Sequence, residues 1–268
     1  MDASGSEPQR VSNPGADGND FDPRWSPDGE VITFRSSRGA YARDRYQTGT
    51  EGIWIIELAS GGERQLYPPD ATAFGGLFAA PGPGGLIALS TVDMVGGNPH
   101  EVITLVDRRG QRQKTFDVDG GECSLWSPDG SMIAYCHHEG GFFGSDGRFA
   151  VWLMNADGSE RRKLSVSAGS ADPDAWAPDG ARLAYDSGVE GSRHVFVTSL
   201  DGREQTQLTS LPGTQVAVAW LPDGRLIVEW SPPHASQPRW LVMNDDGSDI
   251  AEVAAFERAR VTALAWHP

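Results

Sequence analysis

A short segment rich in arginine and tyrosine is the first candidate site in the sequence. It holds four of the 22 basic side chains within 11 positions, in a chain with 37 acidic ones. Guanidinium groups bind carboxylates through paired hydrogen bonds, and Arg and Tyr are enriched at interface centres. The segment therefore predicts a docking site for a carboxylate, an acidic peptide or a sugar acid, unless Asp44 and Glu51 pair with its arginines to make an ordinary surface loop. The candidate residues are Arg35, Arg38, Tyr41, Arg43, Arg45 and Tyr46.

A second candidate is a loop with two histidines, a glutamate and two phenylalanines. Adjacent side chains on a strand point to opposite faces, so at most two of its ionisable groups would reach one metal ion. The phenylalanines suggest a contact patch or a plug over a central channel. A proline-rich loop adds one more histidine. The candidate binding residues are His137, His138, Phe142, Phe143 and His234, and neither a metal nor another cofactor is expected.

Sequence motifs for catalysis are missing. The chain has no Gly-x-Ser-x-Gly elbow, no His-Glu-x-x-His pair and no phosphate-binding glycine loop. Segments 13–20 and 244–249 resemble fragments of a calcium loop but lack its full pattern. We therefore expect a protein that is not an enzyme, with a carboxylate pair for glycoside chemistry as the open alternative.

The two cysteines, Cys123 and Cys136, flank a predicted hairpin turn. They would lie nearly opposite one another, so a cross-strand disulfide is conceivable, but a shift of one residue in register would turn them to opposite faces. Buried free thiols are the expectation.

Composition limits the class of protein and of partner. The formal net charge of −15 argues against nucleic acid and anionic membranes as partners, because both are bound through clustered Lys and Arg. The 33 glycines and 18 prolines are too many for a helical protein, and nine tryptophans too many for a disordered one. Apolar runs are too short for a membrane span, and residues 1–20 do not read as a signal peptide.

An internal repeat predicts the elements that position these residues. Trp25-Ser-Pro-Asp-Gly29 returns at Trp126, and again at Trp176 and Trp220 with Ala and Leu in place of Ser. An eroded copy places Phe78 in the tryptophan position, and a sixth copy begins at Trp266. The spacings of 53, 48, 50, 44 and 46 residues are typical of propeller blades. We therefore predict an all-β propeller of four-stranded blades.

Residues 21–268 form the predicted propeller, and residues 1–20 a tail with a possible outer strand that closes the ring. Six blades are expected, the last incomplete, with five blades as the alternative. The predicted blades are 21–68, 71–118, 121–167, 171–210, 215–256 and a partial one at 260–268.

The two ends of such a ring differ. First-to-second and third-to-fourth strand turns open on one end, here called the short-turn rim, and most of the former read Pro-Asp-Gly. Second-to-third connections and the links between blades open on the other end, here called the long-loop rim. Its predicted loops are 36–52, 91–100, 137–148, 186–193 and 231–238. Because binding residues concentrate on loops held by a rigid scaffold, recognition is expected at the long-loop rim.

The repeat resembles a known family. Pro23-Arg24-Trp25 before Ser-Pro-Asp-Gly, the turn Asn155-Ala-Asp-Gly158 and the strand Arg161–Leu164 resemble the TolB-type WD-like propeller repeat over about residues 8–268. The resemblance implies a non-catalytic scaffold outside the cytoplasm, in the cell envelope. We expect a monomer that binds a protein or peptide at the long-loop rim. The alternatives are the regulatory propeller of a prolyl-oligopeptidase-like hydrolase and a lyase or hydrolase that binds acidic sugars.

Overall fold

The computed structural model describes residues 11–13, 19–38, 52–67, 78–95, 98–118, 120, 123–139, 148–165, 169–189 and 191–253. Within these residues the chain forms antiparallel sheets of four strands, ordered as they follow in the sequence. Blade 1 comprises β1 (Asp20–Trp25), β2 (Val31–Ser36), β3 (Gly52–Glu57) and β4 (Gly62–Tyr67). Blade 2 comprises β5 (Phe78–Pro81), β6 (Leu86–Val95), β7 (Asn98–Asp107) and β8 (Arg112–Asp117), with a 3₁₀ turn at Pro83–Gly85.

The remaining sheets repeat this plan. Blade 3 comprises β9 (Leu125–Trp126), β10 (Met132–His138), β11 (Phe149–Asn155) and β12 (Arg162–Lys163). Blade 4 comprises β13 (Ser170–Trp176), β14 (Arg182–Val189), β15 (Ser192–Ser199) and β16 (Gln205–Gln207). Blade 5 comprises β17 (Thr214–Trp220), β18 (Leu226–Ser231), β19 (Arg239–Met243) and β20 (Ala251–Glu252).

The propeller of four-stranded blades is therefore confirmed, with five blades in the part of the chain that the structure describes. That number matches the five-bladed alternative. The partial blade predicted at 260–268 and most of the predicted tail at 1–20 lie outside the described residues, so the sixth blade stays a prediction.

The repeated tryptophan joins neighbouring blades, as its register predicts. Its indole Nε1 donates a hydrogen bond to a main-chain carbonyl in the innermost strand of the preceding blade, and each such bond contributes about 1 kcal/mol. The pairs are Trp126 with Ala80 (3.1 Å), Trp176 with Leu125 (3.4 Å) and Trp220 with Ala175 (3.2 Å).

A Pro-Asp-Gly segment closes the turn after each of these tryptophans, and after Trp126 a serine precedes it. In blade 3, the Ser127 hydroxyl donates to the Asp129 carboxylate at 2.6 Å and accepts from the Met132 amide at 2.9 Å. Gly130 has φ of 71°, a conformation that favours glycine. The turn is thus encoded locally, which is why it repeats in sequence.

Blade 2 corrects the predicted alignment of the repeat. Pro81 lies opposite Ile87, as Trp126 lies opposite Ile133, so Pro81 and not Phe78 takes the tryptophan position. The ring of Trp126 covers Gly82, where a Cβ atom would lie 2.5 Å from the indole. This close approach explains why glycine follows the strand there.

Two predicted loops of the long-loop rim are instead hairpins. In blade 4 the ladder continues to the pair Val189–Ser192, and in blade 2 to the pair Val95–Asn98. The predicted loops 186–193 and 91–100 are therefore wrong. In segment 186–193 the polar residues Asp186 and Ser187 are buried. Asp186 accepts a hydrogen bond from Arg193, and the Ser187 hydroxyl donates to the Ser170 carbonyl.

Candidate functional site

The described part of the arginine segment is held by acidic side chains of the same blade. The Arg35 Nη1 atom donates to Asp22 Oδ2 at 2.9 Å. Arg38 donates to Asp20 Oδ2 at 2.7 Å and also pairs with Glu63, and its side chain is only 13% exposed. Arg38 is therefore part of the blade and not an open docking group. The other four candidates, Tyr41, Arg43, Arg45 and Tyr46, lie outside the described residues.

The neighbouring histidines contact different partners. Nδ1 of His137 donates to the Val118 carbonyl at 2.8 Å, and the ring lies 4.5 Å from that of Trp152. Nε2 of His138 lies 3.3 Å from Oε1 of the buried Glu101. Burial, and secondarily the neighbouring His137, lower the pKa of His138. Both side chains thus support the contact between blades 2 and 3.

The other candidates of these loops are not brought to one place by the described structure. His234 is exposed and has φ of 63°, in the left-handed region. Phe142 and Phe143 lie outside the described residues, so their predicted role as a patch or plug stays a prediction.

Sequence reasoning missed a polar cluster inside the ring. The innermost strands of all five blades line a cavity of ≈ 620 Å³ that extends to the proline-containing turns of the short-turn rim. A smaller cavity of ≈ 180 Å³ lies next to it. Both cavities are lined by Asp22, Arg24, Pro173 and Asp174, so these residues mark the junction within one axial channel.

Irregularities in two strands place these side chains in the channel. The pairing register of β1 shifts between Phe21 and Arg24, and that of β13 shifts around Asp174. A bulge breaks the regular alternation of side chains between the two faces of a sheet and so changes the direction of the side chains next to it. Asp22 also has φ of 50°, in the left-handed region that a non-glycine residue adopts at some conformational cost.

The charges at this junction are strongly perturbed. The Arg24 side chain is exposed to the channel. Desolvation by the surrounding protein atoms lowers its pKa, while the negative charges of Asp22 and Asp174 favour its charged form. Burial raises the pKa of Asp174 well above its ordinary value, and the negative charge of Asp186 adds to this. The Ala217 amide donates to Asp174 at 3.1 Å. The channel thus presents an exposed cation and a partly exposed carboxyl group at its junction.

A second polar network supports one wall of this junction. Arg193 on β15 pairs through Nε with Asp186 on β14 and through Nη2 with Asp172 on β13. The exposed fractions are 18% for Arg193, 4% for Asp186 and 33% for Asp172. The network ties three strands of blade 4 together behind the channel.

The cysteines form a disulfide, Cys123–Cys136, so the expectation of free thiols is wrong. Extending the pairing of β9 with β10 sets the two residues opposite one another, with Cα atoms 5.5 Å apart. Register, which the sequence left open, decided the outcome.

One sequence signal could have found the channel. In each blade one residue of the second strand pairs with the tryptophan position, and the residue three places after it differs in type from blade to blade, whereas the residue directly before that variable position is hydrophobic in all five blades. The residues at these five positions are Arg35, Ser90, Cys136, Asp186 and Glu229. Arg35 and Glu229 line the cavities, Asp186 pairs with Arg193 and Cys136 forms the disulfide. Ser90 is hydrogen-bonded to Ser124, which lines the smaller cavity.

Comparisons with known proteins agree with this fold. An uncharacterized protein of Agrobacterium fabrum is 30% identical over 132 residues, which are 46% of this chain and 41% of that protein. TolB of Acinetobacter baumannii superposes with a TM-score of 0.63 at 18% identity, over 90% of this chain and 55% of that one. An oligogalacturonate lyase of Vibrio parahaemolyticus superposes with a TM-score of 0.61 at 16% identity, over 93% of this chain and 68% of that one.

Two of these relatives are much longer than the region they share with this chain, which spans 41% of one and 55% of the other. The structural matches show a common fold. Among the described residues, no helix has the length and apolar character needed to cross a membrane. The family model of the TolB beta propeller domain matches residues 95–266, more than half of the chain. The chain therefore belongs to the TolB beta propeller domain family.

Proposed function

We propose that this chain is a non-catalytic binding module that takes up a protein or peptide segment in its axial channel. The observation that carries this proposal is the pair Arg24 and Asp174, which bulged strands of blades 1 and 4 present at the junction of the two cavities. A peptide has charged and amide groups that such a pair recognises.

The walls around the pair supply the second part of the interaction. The larger cavity is lined by the edges of the repeated tryptophans, which are otherwise mostly buried between blades, and by prolines of the Pro-Asp-Gly turns. Rigid aromatic surfaces bind apolar side chains without much loss of conformational entropy, and polar groups deep in a pocket fix orientation. The site therefore favours a short segment with an apolar stretch next to a charged group.

An extracytoplasmic location is part of the same proposal. Disulfides persist in oxidising compartments, and the Cys123–Cys136 disulfide supports such a location. Membership in the TolB beta propeller domain family supports an envelope protein.

Selection of displayed random peptides on the immobilised full chain tests the binding role. Peptides enriched on the wild type should lose at least about tenfold in affinity with Arg24→Met, which corresponds to about 1.4 kcal/mol. Arg225→Met serves as the matched control, because Arg225 pairs with Asp223 on an exposed turn. Enriched peptides that bind Arg24→Met as well as wild type would place recognition outside the channel.

A second candidate function is a lyase or hydrolase for acidic sugars. The arginine beside a carboxyl group of raised pKa in the channel favours it, since Arg binds uronate carboxylates and such a carboxyl group can act in proton transfer. The structural likeness to an oligogalacturonate lyase supports it at the level of fold. Incubation with oligogalacturonate should then produce an unsaturated uronate, seen by ultraviolet absorbance, or new reducing ends. Absence of both products would count against this second candidate.

A further inference from the structure

A disulfide and a carboxylate meet at the contact between blades 3 and 4, beside the smaller cavity. Oδ1 of Asp172 lies 3.3 Å from Sγ of Cys136 and 3.9 Å from Sγ of Cys123. The two Sγ atoms and the carboxylate oxygen lie within 4.8 Å of one another. Among the described residues, this is the one group of three His, Cys or acidic side chains that lie close enough together to hold a metal ion. The cluster belongs neither to the arginine segment nor to the histidine loops.

We propose that Cys123, Cys136 and Asp172 form a redox-controlled site that binds a thiophilic divalent cation, Zn²⁺, when the disulfide is reduced. Two thiolates and one carboxylate oxygen are ligands that Zn²⁺ prefers, and three protein ligands leave a fourth position for water. In the oxidised state the sulfur atoms carry no negative charge, so the site does not bind the cation.

An ion pair with Arg193 fixes the orientation of the Asp172 carboxylate. Arg193 pairs with its other oxygen, Oδ2, and with the buried Asp186. Oδ1 is therefore directed at the sulfur atoms, in the way that an outer-shell partner orients a metal ligand. Because Asp172 comes from blade 4 and both cysteines from blade 3, the cation would link two blades.

The site has access and favourable charge. Cys123 is partly exposed and lines the ≈ 180 Å³ cavity, whereas Cys136 is fully buried, so a reductant and a cation would both enter from the channel side. Asp172 and Asp186 flank Arg193, and Arg24 and Arg35 also line the cavity, so the thiolates formed after reduction supply the negative charge that attracts the divalent ion.

The redox step is a thiol–disulfide exchange. Two donor thiols give two electrons and two protons, the Sγ–Sγ bond breaks, and the donor thiols become joined in a disulfide of their own. Cation binding then releases the protons of Cys123 and Cys136 to water. A phosphine reductant gives the same dithiol and becomes a phosphine oxide, with its oxygen and the two protons taken from water.

Titration of the full chain with Co²⁺ tests the site, because thiolate–Co²⁺ charge-transfer absorption reports sulfur ligands directly. After reduction by a phosphine, we expect one Co²⁺ per chain with this absorption, displaced by Zn²⁺, and none in the oxidised chain. Bound Zn²⁺ should also protect both thiols from alkylation. Retained β circular dichroism shows that the reduced chain stays folded.

Substitutions separate the folded site from simple thiol binding. Asp172→Asn should lower the Zn²⁺ affinity of the reduced chain by at least about tenfold, and Asp179→Asn, on an exposed turn of the same blade, should leave it unchanged. Cys123→Ser should remove the charge-transfer absorption. Equal Zn²⁺ affinity in Asp172→Asn and wild type, or no Co²⁺ absorption in the reduced wild type, would overturn the proposal.

Discussion

Replacement of Arg193 by methionine is the sharpest test of how the channel wall is built. Methionine keeps much of the side-chain volume but removes the cation that faces Asp172 and Asp186. Asp186 is 4% exposed, so its carboxylate would keep little contact with water after the change. Removal of one partner from a buried ion pair costs about 3–5 kcal/mol, because the other charge is left uncompensated.

The expected cost lies at the lower end of that range. Asp172 is 33% exposed and can regain part of its hydration, so Asp186 carries most of the effect. We expect Arg193→Met to lower the free energy of unfolding by about 3 kcal/mol at neutral pH. For a urea m-value of about 3 kcal/mol/M, the midpoint of urea unfolding would fall by about 1 M.

Urea unfolding followed by tryptophan fluorescence and circular dichroism measures this shift. Arg225→Met is the control, because its ion pair with Asp223 is about half exposed on both sides and should leave the midpoint nearly unchanged. Adding Asp186→Asn to Arg193→Met should recover part of the lost stability. A loss under about 1 kcal/mol for Arg193→Met would refute the view that this network is sealed from water.

Three further changes test the fold and the channel. Gly82→Ala would set a Cβ atom 2.5 Å from the Trp126 ring and should destabilise the protein by about 1–3 kcal/mol in urea, whereas Gly62→Ala, near a flexible serine hydroxyl, should cost less. Trp220→Phe removes a hydrogen bond between blades 4 and 5 and should cost about 1 kcal/mol in the same assay, and an unchanged midpoint would contradict that role. Burial raises the pKa of Glu229 above its ordinary value, so the folded protein holds this proton more tightly than the unfolded chain does. The resulting contribution to the free energy of unfolding is present at low pH and is lost as the pH rises through the native pKa. Glu229→Gln should therefore gain stability over wild type at pH 8 but not at pH 4, and equal differences at both would exclude the raised pKa.

Local hydrogen bonding explains why the fold could be predicted from the sequence. The turn after the tryptophan, as at Ser127–Asp129, uses residues close together in the chain, so the same short pattern recurs in blades 1, 3, 4 and 5. Repetition at a spacing of 44 to 53 residues then implies stacked sheets around an axis. The tryptophan position of the second copy was predicted wrongly, because Gly82 and a 3₁₀ turn replace the repeated turn sequence there.

The channel site could not be predicted in the same way. Arg24 and Asp174 are separated by about 150 residues and become neighbours only because the blades curve around one axis. Their orientation depends on bulges, which neither residue's type reveals.

The sequence by itself determined the blade, since period, turn chemistry and strand pattern are short-range properties. Tertiary structure alone decided which polar residues are buried and with which partners. It paired Arg38 inside its blade, extended β14 through Asp186 and joined Cys123 to Cys136. These outcomes depend on strand register and on the packing of one blade against the next. The type of a charged or sulfur-bearing residue does not specify its partner, because the partner comes within reach only in the folded chain.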